Sequence, residues 1–187
     1  KTFVQSFPAD IEPDLESLLN RDDVDVVCIT TPTGNHAEVA LPAFQAGKHV
    51  LCEKPLDINL ERIDRMIAAA RENNRILASV FQSRFGAGAK TLKNAVEQGR
   101  FGQLTVCNVK TKWWRSQEYY DSGGWRGTWE IDGGGALMNQ GIHGVDLLQW
   151  LVGVPEEVQA FSATLAHQRI ETEDTLLANL KYPHGAL

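Results

Sequence analysis

Lys54 stands in the tripeptide Glu53-Lys54-Pro55, directly after an apolar run. Partial burial at such a place disfavours the ammonium charge and suits the amine to proton transfer. The same tripeptide also fits a surface lysine in a turn. His143 stands in Met138-Asn139-Gln140-Gly141-Ile142-His143. Four-residue spacing puts Asn139 and His143 on one face of a helix. Leu137, Val145, Leu148 and Leu151 form an apolar stripe that packs elsewhere. His143 is then either a proton-transfer group or a satisfied structural histidine. Gly133-Gly134-Gly135, just ahead, allows close approach of backbone or ligand and favours the functional reading.

Two further clusters carry binding chemistry. Trp125-Arg126-Gly127-Thr128-Trp129 follows Tyr119-Tyr120 and Trp113-Trp114-Arg115. Aromatic faces beside guanidinium groups suit stacking and multidentate hydrogen bonding to sugars or phosphates. A hydrophobic anchor for a long loop, or an oligomer contact, is the other reading. Thr30-Thr31-Pro32-Thr33-Gly34-Asn35-His36 offers hydroxyls and a helix start, which suit a cofactor's ribose or pyrophosphate. Helix N-capping by Thr33 or Asn35 is compatible with that role. His49, His167 and His184 have no partner at useful spacing and read as structural or surface residues. Cys28, Cys52 and Cys107 form no Cys-x-x-Cys pair, so no metal site is expected. Cys28 and Cys52 lie in apolar runs and read as buried small hydrophobes. A reducing, cytoplasmic compartment is expected.

The elements that must hold these residues follow from periodicity. Residues 14–19 have helical spacing. Residues 24–30 form a β-branched run, as expected of a buried parallel strand. A helix is predicted over 35–46, closed by Gly47 as a left-handed C′ residue. A strand over 49–53, a helix over 60–72 and a strand over 75–81 come next. Strand–helix alternation with short loops predicts a doubly wound parallel sheet, which binds ligands beyond the carboxyl ends of its strands. Those ends are Thr30-Thr31-Pro32, Glu53-Lys54-Pro55 and Gln82.

The pattern then changes, with a boundary near residues 82–86. A helix over 87–98, a half-wet strand over 103–113 and a long loop over 113–132 are predicted. A helix over 136–151 and strands over 158–166 and 175–182 follow. Loops as long as 113–132 are usually functional. This half reads as α+β, built on a largely antiparallel open sheet.

The chain has 187 residues, 43% hydrophobic and 22% charged, with a net charge of −6. The acidic balance and scattered Lys and Arg exclude a general nucleic-acid surface. No apolar run is long enough to cross a bilayer. Lys1-Thr2-Phe3-Val4 does not read as a signal peptide. No Gly-x-Gly-x-x-Gly is present, and Pro183-His184-Gly185 is a turn with no return strand. The chain is therefore expected to lack sequence on both sides.

Four ordered segments resemble the Gfo/Idh/MocA oxidoreductases, the glucose–fructose oxidoreductase and inositol dehydrogenase family. They run from Val24 through Thr30-Thr31-Pro32-Thr33-Gly34-Asn35-His36, and from Ala46 through Glu53-Lys54-Pro55-Leu56. Then come Phe81-Gln82-Ser83-Arg84-Phe85 and Gly134-Gly135-Ala136-Leu137-Met138-Asn139-Gln140-Gly141-Ile142-His143. Order and spacing agree across nearly the whole chain. The resemblance implies an α/β chain: part of a Rossmann domain over 1–82, then part of a substrate and oligomerisation domain over 83–187. The open sheet would join copies into a dimer or tetramer.

In this family the lysine of Glu-Lys-Pro and the later histidine flank the nicotinamide and the reacting carbinol, which maps them to Lys54 and His143. The Lys-Pro peptide is often cis there, and the residue four before the histidine is often aspartate. Here it is Asn139, which can bind a hydroxyl but cannot exchange protons. The resemblance implies NAD or NADP as cofactor and a sugar, cyclitol or sugar derivative as substrate. Thr30, Thr31, Pro32, Asn35, His36, Glu53, Lys54 and Gln82 would line the cofactor. Trp125 and Arg126 would close over the nicotinamide side. Arg84, Tyr119, Tyr120 and Asn139 would hold substrate hydroxyls. Two rival readings keep the fold: an NAD-dependent glycoside hydrolase, and a non-catalytic nicotinamide-binding regulator.

Overall fold

A computed structural model describes residues 9–187; Lys1-Thr2-Phe3-Val4 lie outside the described residues. The chain divides into two compact units. Among the described residues, one takes 9–31 together with Asn35–Ser79, the other Pro32–Gly34 and Val80–Leu187.

The first unit opens with helix α1, Leu15–Leu19, whose start is capped by the Asp14 carboxylate accepting from Ser17 N at 2.8 Å. Strands β1 (Val26–Ile29), β2 (His49–Cys52) and β3 (Leu77–Ser79) form a parallel sheet in that order. Val26 faces His49, and Val50 faces Leu77. Helices α2 (His36–Gln45) and α3 (Leu60–Glu72) connect them. Helix α3 forms because Asn59 caps Arg62 N at 2.9 Å and the stripe Ile63, Met66, Ile67, Ala70 recurs at helical spacing. Val27, Ile29, Val50 and Cys52 point from the sheet into a core with Ala40, Ala43, Phe44, Met66 and Ala70. Burying Phe44 there contributes about 1.5–3 kcal/mol. Gly47, at φ 74°, ends α2 in the left-handed conformation expected of it.

Three expectations change in this unit. Strand β1 alternates exposed and buried residues, so Cys28 is exposed while Cys52 is buried. Strict two-residue alternation sends Val26 and Cys28 away from the core that receives Val27 and Ile29. Strand β3 is shorter than the apolar run, because the chain turns at Gln82–Phe85. His49 has a partner after all: its Nδ1 accepts from Ile76 N at 3.0 Å.

The second unit holds helices α4 (Ala87–Glu97), α5 (Gln117–Asp121) and α6 (Ile142–Val152). Strands β4 (Glu157–Ala163) and β5 (Thr175–Lys181) form an antiparallel pair in which Phe161 faces Leu177. Every residue of β4 is exposed. Among the described residues, the strand expected over 103–113 is absent as a ladder. Within them its backbone bonds only through Leu187 N to Thr105 O, 3.0 Å, and Cys107 N to Leu187 O, 2.8 Å. It lies against α6 at Gly144, where an added Cβ would meet Val109 Cγ2 at 2.9 Å. The helix expected over 136–151 begins instead with a π-helical turn, Leu137–Gly141. Strand β4 stops at Ala163 because the amides of Leu165, Ala166 and His167 turn to the Asp174 carboxylate at 2.8–2.9 Å.

Candidate active site

In the first unit, the carboxyl edge of the sheet presents Thr30 and Thr31 after β1 and Glu53 and Lys54 after β2. Thr30 and Thr31 are exposed; Glu53 and Lys54 are half-buried. Glu53 N still bonds Ile29 O at 3.0 Å, so the ladder fixes the backbone just before Lys54. The Lys54–Pro55 peptide is cis. The Glu53 carboxylate accepts from Lys54 N at 3.1 Å.

His36 is 1% exposed, so its ring does not face a ligand as expected. Its Nδ1 lies 2.9 Å from Pro55 O and 3.3 Å from Leu56 O, and its Nε2 lies 2.9 Å from Thr31 O. The ring therefore braces the two segments that follow β1 and β2. The start of α2 is also taken. Asp57, fully buried, accepts from Ala37 N at 3.0 Å and from Ile58 N at 2.7 Å. A carboxylate at a helix N-terminus is well placed electrostatically, and it displaces the anion site that the sequence suggested there. Asn35 makes no side-chain cap; its amide donates to Glu38 at 3.4 Å and the residue is exposed. Buried Cys52, nearby, has its thiol pushed up to about 12 by burial first, then by the charges of Asp57 and Glu53.

In the second unit, Asn139 sits in the π-turn and His143 in the first turn of α6. Both are half-buried. π-turns interrupting α-helices recur at functional sites. Glu173 holds the entry to this turn. It accepts from Gly135 N at 3.2 Å and Leu137 N at 3.0 Å through its carboxylate, and from Ala136 N at 2.8 Å through its carbonyl. The glycine run thus serves backbone approach: a Cβ on Gly135 would collide with the Glu173 carbonyl. Asp132 links the turn to the loop before it, accepting from Gly127 N at 2.8 Å and from the Asn139 amide at 3.2 Å. Asn139 Oδ1 accepts from Gln140 at 2.9 Å.

The long loop is ordered by aromatic and cationic groups. Arg126 Nη1 donates to the Tyr119 hydroxyl at 2.9 Å, and its guanidinium lies 4.7 Å from the Trp125 centroid. Tyr120 packs edge-on against His167, 4.8 Å between centroids. His167, expected to lack a partner, has two: Nδ1 lies 2.9 Å from the Asp174 carboxylate and Nε2 lies 2.7 Å from Arg115 O. Arg84, expected to hold substrate, is bidentate on Asp146 at 2.8 and 2.5 Å. Gln82 is exposed in the turn that carries Arg84, and Pro32 is half-buried.

The geometry thus brings Thr30, Thr31, Glu53 and Lys54 to one sheet edge, and Asn139 and His143 to one helical entry. Sequence reasoning missed Asp57 at the sheet edge, Asp132 and Glu173 at the helical entry, and the His167–Asp174 pair that braces the long loop at Arg115. Their partners lie across turns or in other elements, so no local spacing announces them. Among the described residues no group of three or more His, Cys, Asp or Glu could hold a metal. No helix among them is long and apolar enough to cross a membrane.

Comparison with known proteins agrees over both units. A model described as the oxidoreductase family, NAD-binding Rossmann fold, matches residues 1–81, and one described as the GFO/IDH/MocA C-terminal domain matches residues 89–187. The WlbA dehydrogenase of Bordetella pertussis, solved in complex with NADH and UDP-GlcNAcA, is 44% identical with a TM-score of 0.94 over 99% of this chain and 53% of that one. Myo-inositol 2-dehydrogenase of Thermotoga maritima is 32% identical over 93% of this chain and 51% of its own length. A 2,7-anhydro-N-acetylneuraminate hydratase of Mediterraneibacter gnavus is 29% identical over 97% and 49%. The chain spans about half the length of these relatives. With both family models matched in order, the chain belongs to the Gfo/Idh/MocA oxidoreductase family.

Proposed function

We propose that the protein carrying this chain is an NAD(P)-dependent dehydrogenase that oxidises a secondary alcohol on a sugar, cyclitol or sugar derivative. What supports this most is likeness along the whole chain, at 44% identity, to a dehydrogenase solved with NADH and UDP-GlcNAcA. A sugar nucleotide is therefore the favoured substrate class. The sheet edge supports a dinucleotide site: two exposed threonines follow β1 at the carboxyl end of a parallel strand.

When bound, the nicotinamide supplies the acceptor for the hydride on the carbinol carbon. The chain's own residues manage the proton and the charge. His143 takes the hydroxyl proton as general base. Lys54 hydrogen-bonds that oxygen and stabilises the carbonyl as it forms. Asn139 holds a neighbouring hydroxyl and does not relay protons. Thr30, Thr31 and Glu53 contact the cofactor. His36 and Asp57 hold the loop that bears Lys54.

Assembly and compartment follow the same reading. The wholly exposed β4, paired to β5, supports joining of copies through that sheet. Three free cysteines support a reducing, cytoplasmic setting.

The test is NADH absorbance on mixing the full-length protein with NAD or NADP and a panel of UDP-sugars, myo-inositol and levoglucosan. Stoichiometric NADH formation with one panel member is expected. Substrate turnover without net NADH would replace this reading with a transient-oxidation reaction such as glycoside hydrolysis. Binding of NADH without any turnover would leave a regulator.

A further inference from the structure

Two arginines of the second unit share one aromatic ring. The guanidinium carbon of Arg126 lies 4.4 Å from the Tyr119 ring centroid and that of Arg115 lies 4.9 Å from it. Both arginines are half-buried. The Nε of each is buried with no hydrogen-bond partner. Arg126 makes one side-chain hydrogen bond, to the Tyr119 hydroxyl, which is neutral. Among the described residues neither guanidinium forms an ion pair.

Glu130 of the same loop is exposed, and the other acidic groups of the surrounding segments are engaged elsewhere. Asp121 pairs with Arg169 at 2.6 Å. Glu118, at the start of α5, has its carboxyl held below the usual range by its hydrogen bond to Ser116. Asp132 accepts from Gly127 N and Asn139. Glu171 accepts from Trp129 N at 2.9 Å. Asp174 is filled by three amides and His167. Two guanidiniums therefore lie 4.4 and 4.9 Å from one ring centroid with no ion-paired carboxylate among the described residues, in surroundings made apolar by Tyr119, Tyr120 and Trp125. A guanidinium stacked by its face keeps its in-plane N–H groups for hydrogen bonding. Such forks match the paired oxygens of a carboxylate or a phosphate.

We propose that Arg115 and Arg126, held by Tyr119, form an oxyanion-recognition site for a carboxylate or phosphate of the sugar ligand. This rests on the sugar-dehydrogenase reading for the identity of the ligand, and it assigns Arg126 to substrate rather than to cofactor. Tyr119 becomes the platform of the site instead of a hydroxyl contact. The site selects an acidic or phosphorylated sugar over a neutral polyol.

Calorimetric binding to the full-length protein tests it, with Arg115→Gln, Arg126→Gln and Arg115→Lys. Four probes separate the sources: UDP-GlcNAcA carries carboxylate and pyrophosphate, UDP-GlcNAc only pyrophosphate, glucuronic acid only carboxylate, and myo-inositol neither. Each glutamine variant is expected to raise the Kd of at least one anionic probe tenfold or more. Arg115→Lys should retain part of that affinity. Inositol and NADH affinities should stay within about twofold for Arg115→Gln, with unchanged melting. Loss with glucuronic acid assigns a carboxylate; loss with UDP-GlcNAc assigns a phosphate. Equal weakening of inositol, weakening of NADH alone, no weakening, or no anion binding by the wild type would each overturn the site. Because binding is read without turnover, absent NADH formation alongside intact anion binding would count against the dehydrogenase reading and not against the site.

Discussion

The imidazole of His36 lies 2.9 Å from the carbonyl oxygen of Pro55 through Nδ1 and 2.9 Å from that of Thr31 through Nε2. Pro55 directly follows Lys54, so a buried ring on α2 fixes the backbone that carries the proposed catalytic amine. His36→Ala leaves those carbonyls without their partner, at a cost of about 1–3 kcal/mol. Urea unfolding should show that loss. Turnover should fall about tenfold with KM little changed, since placement and not affinity is affected. A stability loss with full kcat would confine His36 to the core.

Lys54→Ala and His143→Ala should each lower turnover by about a hundredfold or more, as expected when one positioned proton-handling group is removed. Steady-state NADH formation measures this. NADH binding by fluorescence should persist in His143→Ala. A variant that keeps wild-type turnover loses the role assigned to that residue.

Arg84, expected to hold substrate, is instead paired with Asp146. The Asp146 carboxylate is 6% exposed and Arg84 is 39% exposed. Arg84→Ala strands a buried carboxylate on α6. Water reaching Arg84 reduces the effect below that of a fully buried pair, leaving about 1–3 kcal/mol. The melting temperature should drop while substrate KM holds. A KM rise without loss of stability would return Arg84 to the substrate.

Local patterning explains what was legible. Helix α3 was readable to its last residue because Asn59 and the Ile63–Met66–Ile67–Ala70 stripe are local signals. Strand β2 was readable because a short apolar run between Gly47 and Pro55 has few alternatives. Residues 103–113 alternate like a strand, yet a strand is a matter of partners, and among the described residues only Leu187 supplies them. The π-turn at Leu137–Gly141 has no side-chain signature, since an α-helix accepts the same residues. Lys54 and His143 stood out through motif order. Asp57, His167 and Glu173 did not, because each serves a partner that only the fold brings near.

Asp174 predicts an acid-sensitive loop. Burial alone would raise its pKa, but the amides of Leu165 and Ala166, then His167 and Thr175, hold it well below the ordinary 3.8. Above that ordinary value the carboxylate is charged both folded and unfolded, and its stabilisation is complete. Below about pH 4 the unfolded chain takes the proton first, so stability falls progressively toward the depressed folded value. Asp174→Asn should be less stable than wild type at pH 6, and the gap should narrow on acidification to pH 2.5. Urea midpoints across that range measure it. A gap independent of pH would show that charge is not what the loop amides require.

Gly135 sets the entry to the π-turn. Three consecutive amides, Gly135, Ala136 and Leu137, bond to the single residue Glu173. Close approach of the two backbones makes this possible, and a methyl group on Gly135 would overlap the Glu173 carbonyl. Because the obstacle is backbone and not a movable side chain, Gly135→Ala must shift one strand of the contact and break these bonds together. A loss of about 3 kcal/mol or more is expected, in the range of severe core and backbone changes. Turnover should fall with it, since Asn139 and His143 follow directly. Gly124→Ala is the control: nothing lies within 4 Å of its added Cβ, and its melting temperature should not move. If Gly135→Ala melts like the wild type but loses activity, the close approach is used by ligand rather than by Glu173.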